Sequence, residues 1–224
     1  MAIVYAGLGD SYVLRTSATD WDDAQGSATT NGTAQHSSRT VYSLGVYART
    51  LGGRGGTTYF CYRSYFGFSL LSESGTIGSA TISIYLDNLG DTGNSGKAIL
   101  VKATALDDGV EDHGNVFSSG TTWHDDISSS VDVSTTEGYH DFDLNSDGIA
   151  HLQSAIDSSG TAFVGLVSSY HDYGEHTPVS GGDYSRFQVT YTDYTGTSRD
   201  PKVDITYTTV SLVSDNATFF GANF

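Results

Sequence analysis

The feature that most constrains this chain is a short-range alternation of apolar and polar side chains, repeated in segments that are separated by clusters of Gly, Ser, Asp and Asn. It is cleanest over residues 80–86, where Ile82, Ile84 and Leu86 fall on one side and Thr81, Ser83 and Tyr85 on the other. A period of two is that of a half-buried β-strand, and many short strands at turn-marked spacing point to a sandwich or barrel. The same reading predicts strands at 4–5, 12–14, 41–48, 57–70, 97–105, 127–133, 139–144, 162–169, 186–194 and 202–209. In 97–105 the residues Ile99, Val101 and Ala103 oppose Leu100, Lys102 and Thr104, so this strand is expected to be covered on both faces for part of its length.

Composition agrees. The chain has 27 Gly, 2 Pro, 15 Tyr and 10 Phe in 224 residues. Tyr, Val, Ile and Thr suit a pleated surface, and Gly supplies the positive-φ turns that many short strands need. A length of 224 residues fits one large sandwich. The expectation is an all-β, antiparallel β-sandwich of jelly-roll type, a single domain over 1–210. One segment breaks the alternation: Ile149, Leu152 and Ile156 recur at helical spacing, with Ser146 or Asp147 placed to cap and Gly160 beyond the end. One short helix across an end of the sandwich is predicted there. Residues 16–38 are rich in Ser, Thr, Gly and Ala with Trp21 as the one large apolar group, and read as a long polar surface loop. Residues 211–224 form an apolar C-terminal arm carrying Phe219, Phe220 and Phe224. Each Phe left in water forgoes about 1.5–3 kcal/mol, so the arm is expected to dock, either on its own sandwich or as a subunit contact.

The formal net charge is −16, from 26 acidic against 10 basic residues, and the basic residues are scattered singly. Such a surface repels phosphate backbones and anionic membranes, which argues against nucleic acid as a partner. No stretch approaches the roughly 18 apolar residues of a membrane span, and residues 1–7 lack the basic and apolar regions of a secretory leader. Membrane insertion is therefore not expected, and synthesis in the cytoplasm is. The single cysteine, Cys61, excludes an internal disulfide and sits in an apolar run, where it reads as a small core residue.

Several of these segments resemble the DNRLRE-type family of β-sandwich domains, which look like carbohydrate-binding modules and occur in secreted bacterial proteins and in phage structural proteins. The resemblance is carried by Asp10-Ser11-Tyr12-Val13, by Tyr62-Arg63-Ser64-Tyr65-Phe66-Gly67-Phe68-Ser69-Leu70 with Gly75-Thr76-Ile77-Gly78-Ser79-Ala80-Thr81-Ile82-Ser83-Ile84-Tyr85, by Phe142-Asp143-Leu144 with Ala162-Phe163-Val164-Gly165-Leu166, and by Arg199-Asp200-Pro201-Lys202-Val203-Asp204-Ile205-Thr206-Tyr207. These are packing motifs. They imply the jelly-roll-like fold and say little of a ligand.

Three clusters carry candidate chemistry. Asp143, Asn145 and Asp147, followed by Gly148, match the first half of a calcium loop, but Ser154 stands where the bidentate Glu belongs, so helix capping competes with a Ca2+ site. Asp107, Asp108, Glu111, Asp112 and His113, with His124, Asp125 and Asp126, bring carboxylates near imidazole without the spacing of a rigid metal site. Tyr170, His171, Tyr173, Glu175 and His176 form a polar, aromatic loop suited to contact with a sugar or a protein, and equally to a solvated turn. No nucleophile elbow occurs, and Gly52-Gly53-Arg54-Gly55-Gly56 lacks the lysine and helix of a phosphate loop. The expectation is a protein without catalytic residues or resident cofactor: a bacteriophage virion component, for capsid decoration or in a tail or fibre, whose partners are other virion proteins or copies of itself. The alternative is an extracellular carbohydrate-binding or adhesion module that meets a cell-surface glycan.

Overall fold

The structure is a computed structural model that describes residues 1–7, 11–18, 20–26, 33–36, 41–50, 56–92, 96–104, 117–119, 122–123, 125–158, 160–179, 184–191 and 196–208. It is mostly β, with two antiparallel sheets packed together. The first sheet runs β1 (Ala2–Tyr5), β14 (Lys202–Tyr207), β6 (Ile77–Thr92), β11 (Gly138–Asp143). The second runs β2 (Ser11–Ala18), β5 (Thr57–Ser69), β12 (Thr161–Ser168), β7 (Lys97–Lys102), β10 (Val131–Asp132), with β3 (Thr33–His36) on the far side of β2. Two strands join the sheets: β4 (Val41–Thr50) pairs with the start of β5, and β13 (Tyr184–Val189) lies between β4 and the far half of β6. Hydrogen bonding is thus continuous from one sheet into the other. A separate pair, β8 (Phe117–Ser119) and β9 (Thr122–Trp123), lies apart from both.

Alternation sets which side chains meet between the sheets. Ile82, Ile84, Phe142, Val203 and Ile205 of the first sheet share one core with Phe66, Phe68, Leu100, Val164 and Leu166 of the second, and all are buried. Each such side chain withdrawn from water contributes about 1.5–3 kcal/mol, so this interior dominates the energetics of the fold. Tyr191 brings a polar tip into it: its ring stacks on Phe66 at 5.8 Å between centroids, and its hydroxyl bonds Ser64 Oγ at 2.8 Å.

The expected helix is α2 (Ser146–Asp157), which lays Leu152, Ala155 and Ile156 on the core. Its cap is one residue earlier than the sequence indicated: Asn145, not Ser146 or Asp147, accepts the Asp147 and Gly148 backbone N–H groups with Oδ1 at 3.0 and 2.9 Å. Ser and Asp are as good at capping, but the isolated bridge between Ser128 and Leu144 holds the preceding chain extended and leaves Asn145 at the turn into the helix. Gly148 is required for another reason. A Cβ there would meet the Ile127 carbonyl at 2.5 Å. His151 donates from Nε2 to the Phe163 carbonyl at 2.9 Å, and Gln153 Oε1 accepts the Ile77 N–H at 2.9 Å, tying α2 to β12 and β6.

Residues 16–38 differ from the expected long loop. β2 continues through Ala18, a helical turn α1 (Trp21–Gln25) comes next, and β3 pairs with β2. Trp21 explains the turn: its ring is buried with Ala24 and Cys61 and lies 6.3 Å from the Tyr59 ring, so one large apolar group fixes a stretch that is otherwise polar. The strand expected at 127–133 is reduced to a bridge at Ser128 and the two residues of β10. Cys61 is buried, as read from its surroundings. Among the described residues no helix is long and apolar enough to cross a membrane.

Candidate functional site

The outer faces of the two sheets are treated differently, and the difference locates the functional surfaces. On β5 the odd-numbered side chains Tyr59, Cys61, Arg63 and Tyr65 point away from the shared core. They are not left to water. α1 covers Cys61, while a π-helical turn at Ser169–Tyr173 continues from β12 and contacts β7 and β12. Val13, Tyr65, Ile99, Val101 and Val167 form a second apolar cluster there, with Phe163 and Tyr173 against it. β7 is thus buried on both faces, since Ala98 and Leu100 belong to the main core.

Between α1 and the π turn sits a fully buried ion pair. Arg63 donates from Nε to Asp172 Oδ2 at 2.8 Å and from a terminal nitrogen to Asp172 Oδ1 at 2.7 Å, with both side chains 0% exposed. The same terminal nitrogen donates to the Gln25 carbonyl at 2.7 Å, and the Gln25 amide returns a bond to the Asp172 carbonyl. One guanidinium therefore clasps the end of α1, the π turn and the centre of β5. Burial works against the Arg63 charge, and Asp172 more than restores it, so the guanidinium stays protonated. Burial, and then the charge of Asp172, push the Cys61 thiol well above its usual range, which leaves it un-ionised and poorly nucleophilic. Burial likewise raises the Tyr65 hydroxyl.

The loop singled out in the sequence continues from this clasp. His171 is buried, with Nδ1 bonded to the His176 carbonyl at 2.6 Å, while His176 Nδ1 bonds the Tyr170 carbonyl at 3.0 Å. Tyr170 is 41% exposed; its ring stacks on the His176 ring at 4.1 Å and meets His171 edge-on at 4.9 Å. The Tyr173 hydroxyl donates to Asp126 Oδ1 at 2.9 Å, and burial together with that bond pushes its pKa up to about 12. The tight reversal rests on Gly174, where a Cβ would lie 2.5 Å from the Tyr170 carbonyl, and on Glu175, which takes a φ of 57°. Of the five residues named in the sequence, Tyr170, Glu175 and His176 lie on the surface and His171 and Tyr173 turn toward the body.

The calcium-like string is engaged elsewhere. Asp143 Oδ1 accepts the Thr81 hydroxyl at 2.7 Å, Asn145 Oδ1 caps α2, and Asn145 Nδ2 donates to the Asp126 carbonyl at 2.9 Å. Asp147 is exposed at the first turn of α2. Among the described residues, no three His, Cys, Asp or Glu side chains are grouped to hold a metal ion. Asp125 pairs with Lys102 at 2.8 Å on the surface. Asp107, Asp108, Glu111, Asp112, His113 and His124 lie outside the described residues, as do Phe219, Phe220 and Phe224 of the arm and all but the last residue of Gly52-Gly53-Arg54-Gly55-Gly56.

The outer face of the first sheet has no such cover among the described residues. Register aligns its side chains in rows across four strands: Ile3, Asp204, Thr81, Asp143 in one, and Tyr5, Lys202, Ser83, Asp141 in the next. A third row begins with Tyr85 opposite Tyr139, whose rings meet edge-to-face at 5.3 Å. Arg199 lies over the Tyr85 ring at 4.7 Å and bonds Asp87 at 2.9 Å, and Lys202 lies 5.3 Å from the Tyr139 centroid. Ile3, Tyr5 and Tyr139 are 51, 41 and 36% exposed. Sequence reasoning marked the alternation here but not which sheet would stay open, because the cover over the other sheet comes from α1 and a π turn that no periodicity announces. No family model matches the chain, and no curated protein matches it at a significant level.

Proposed function

We propose that this protein is a bacteriophage virion structural protein, a capsid decoration or tail or fibre component, that presents its sandwich for assembly or host-surface attachment. The observation that carries the reading is the asymmetry of the two sheets. One outer face is sealed by α1, the π turn and the Arg63–Asp172 clasp, and the other offers Ile3, Tyr5 and Tyr139 to a neighbour. An exposed apolar and aromatic patch rimmed by polar groups is the surface expected of an interaction site. The groups that catalysis would draw on have structural work in the described residues: His140, His151 and His171 bond backbone carbonyls, and Asp172 holds Arg63. Jelly-roll connectivity, the likeness to DNRLRE-type domains and location in the virion belong to the same proposal, as does its partner set of other virion proteins or further copies of the chain.

A second reading, an extracellular module that binds a cell-surface glycan, is favoured by one feature. The Tyr170 ring is exposed yet held rigid by the His176 stack, the form that a sugar-stacking residue takes. Quantitative mass spectrometry of purified particles tests the first reading, which requires a fixed number of copies per particle. Particles devoid of the chain refute it. A glycan array tests the second, and a flat response across neutral hexoses and uronic acids refutes that.

A further inference from the structure

The segment that bears Tyr170 is bonded in two ways. Within it, the Gly174 N–H donates to the Ser169 carbonyl and the His176 N–H to the His171 carbonyl, both at 3.1 Å and both across five residues, which is the π pattern. His171 Nδ1 donates to the His176 carbonyl and His176 Nδ1 to the Tyr170 carbonyl, so each imidazole fastens one limb of the turn to the other. These four bonds give the turn its shape and leave its direction unset, because each begins and ends inside 169–176. Direction comes from bonds to the sandwich. Asp172 makes three of them: its carboxylate oxygens take Arg63 Nε and a terminal nitrogen, from the centre of β5, and its carbonyl takes the Gln25 amide, from the end of α1. Tyr173 adds the bond to Asp126.

Burying two charges is a costly way to seal a sheet. Val13, Tyr65, Val101 and Val167 seal the adjoining part of this face with apolar side chains, and an apolar pair in place of a buried ion pair is often as stable or more so. What the arginine–carboxylate fork adds is orientation, since two parallel bonds fix both the distance and the plane of the partner. Asp172 stands between Tyr170 and His176 in the turn, so a fixed plane there decides where the stacked rings point. The backbone around it is held against its preference: Glu175 takes a φ of 57°, and at Gly174 a Cβ would lie 2.5 Å from the Tyr170 carbonyl. We infer that Arg63 and Asp172 are the positioning pair of the Tyr170–His176 surface, aiming a stacked aromatic platform outward from a charge pair buried behind it. This rests on the second reading, in which that platform meets a glycan, and it gives the pair a part in recognition. Both side chains are 0% exposed, so they act on a ligand only through the turn they hold.

The test compares the full chain with the double variant Arg63→Met plus Asp172→Leu, which discards both charges and keeps apolar bulk in their place. Ring-proton shifts of Tyr170 report its stack on His176, and amide exchange at Gly174 and His176 reports the π bonds. In the double variant the Tyr170 shifts should move toward those of an unstacked tyrosine, and the two amides should exchange about tenfold faster or more while those of β6 keep their protection. On an array of neutral hexose and uronic acid glycans, the signals given by the unmodified chain should fall about tenfold in the double variant and vanish in Tyr170→Ala. Tyr207→Phe, which removes the bond to Glu73 outside the turn, controls for stability alone and should leave all three readouts unchanged. Unchanged shifts and exchange in the double variant, a glycan signal it fully keeps, or an equal loosening of the turn in Tyr207→Phe each overturn the inference. Where the double variant fails to fold, Arg63→Lys decides, because it keeps a charge and loses the fork: a loosened turn is expected, and an unchanged one overturns the inference. A flat array for the unmodified chain removes the glycan reading, and the shifts and exchange still decide whether the pair positions the platform.

Discussion

Removing the Asp172 carboxylate tests whether the two charges of the clasp depend on one another. Asp172→Ala takes the carboxylate away from the Arg63 guanidinium, 0% exposed, removing its two bonds to Asp172 while the bond to the Gln25 carbonyl stays. Breaking one member of a buried pair costs about 3–5 kcal/mol because the other charge stays desolvated. Unfolding a chain of this length releases a large surface, and with a urea slope near the upper end of about 1–3 kcal/mol/M the midpoint should fall by roughly 1–2 M. Asp172→Asn, which keeps the shape and removes the charge, should lie close to the alanine variant. The double variant Arg63→Met with Asp172→Leu discards both charges and should recover most of the loss, leaving about 1 kcal/mol for the Gln25 carbonyl and the altered packing. Urea titration monitored by tryptophan emission suits the purpose, because Trp21 sits in α1 beside this cluster. Thiol reagent uptake by Cys61 reports the same event, since an opened clasp lets water reach a thiol that is now buried. A loss under about 1 kcal/mol for Asp172→Ala, or a double variant that costs the sum of the two single ones, would refute the argument that the paired charges are interdependent.

Two further perturbations probe separate links. Asn145→Ala removes the two bonds that cap α2 and should lower stability by about 1 kcal/mol in the same titration, whereas Asp147→Ala should cost far less; the reverse order would return the cap to Asp147. Burial lowers the His151 pKa, so the folded chain binds fewer protons there than the unfolded chain does. Its contribution is fully present above the ordinary histidine value near 6.5 and is lost as pH falls below that toward the depressed value in the fold. His151→Gln should flatten the fall in stability as pH drops below about 6.5, and an unchanged slope would show that other groups set it.

The strands were legible because their apolar residues recur at period two for long enough to be unambiguous, as at Ile82, Ile84 and Leu86, and α2 because Ile149, Leu152 and Ile156 keep helical spacing over two turns. Double coverage of β7 was legible for the same reason, with apolar residues at consecutive positions. What the sequence hid depends on contacts across the fold. Trp21 nucleates a turn in a polar stretch only because Cys61 and Tyr59 of β5 lie beneath it. Arg63, embedded in an aromatic strand, has no local sign that its partner stands 109 positions away in a π turn. The aromatic loop, read as a contact surface or a solvated turn, is half structural: Asp172 and His171 are its buried roots, and Tyr170 and His176 are its exposed tip. The open face needed both its alternation and the knowledge that nothing described lies over it.

The most direct test of the account compares amide hydrogen exchange of the full chain when dilute and when concentrated enough to associate. Residues 2–5 and the flanking face at Lys202–Tyr207 should gain protection on association, while the peptides of α1 and the π turn, already sealed by the clasp, should be equally protected in both states. Protection gained over 169–176 with β1 unchanged would contradict it, and would move the working surface to the other side of the sandwich.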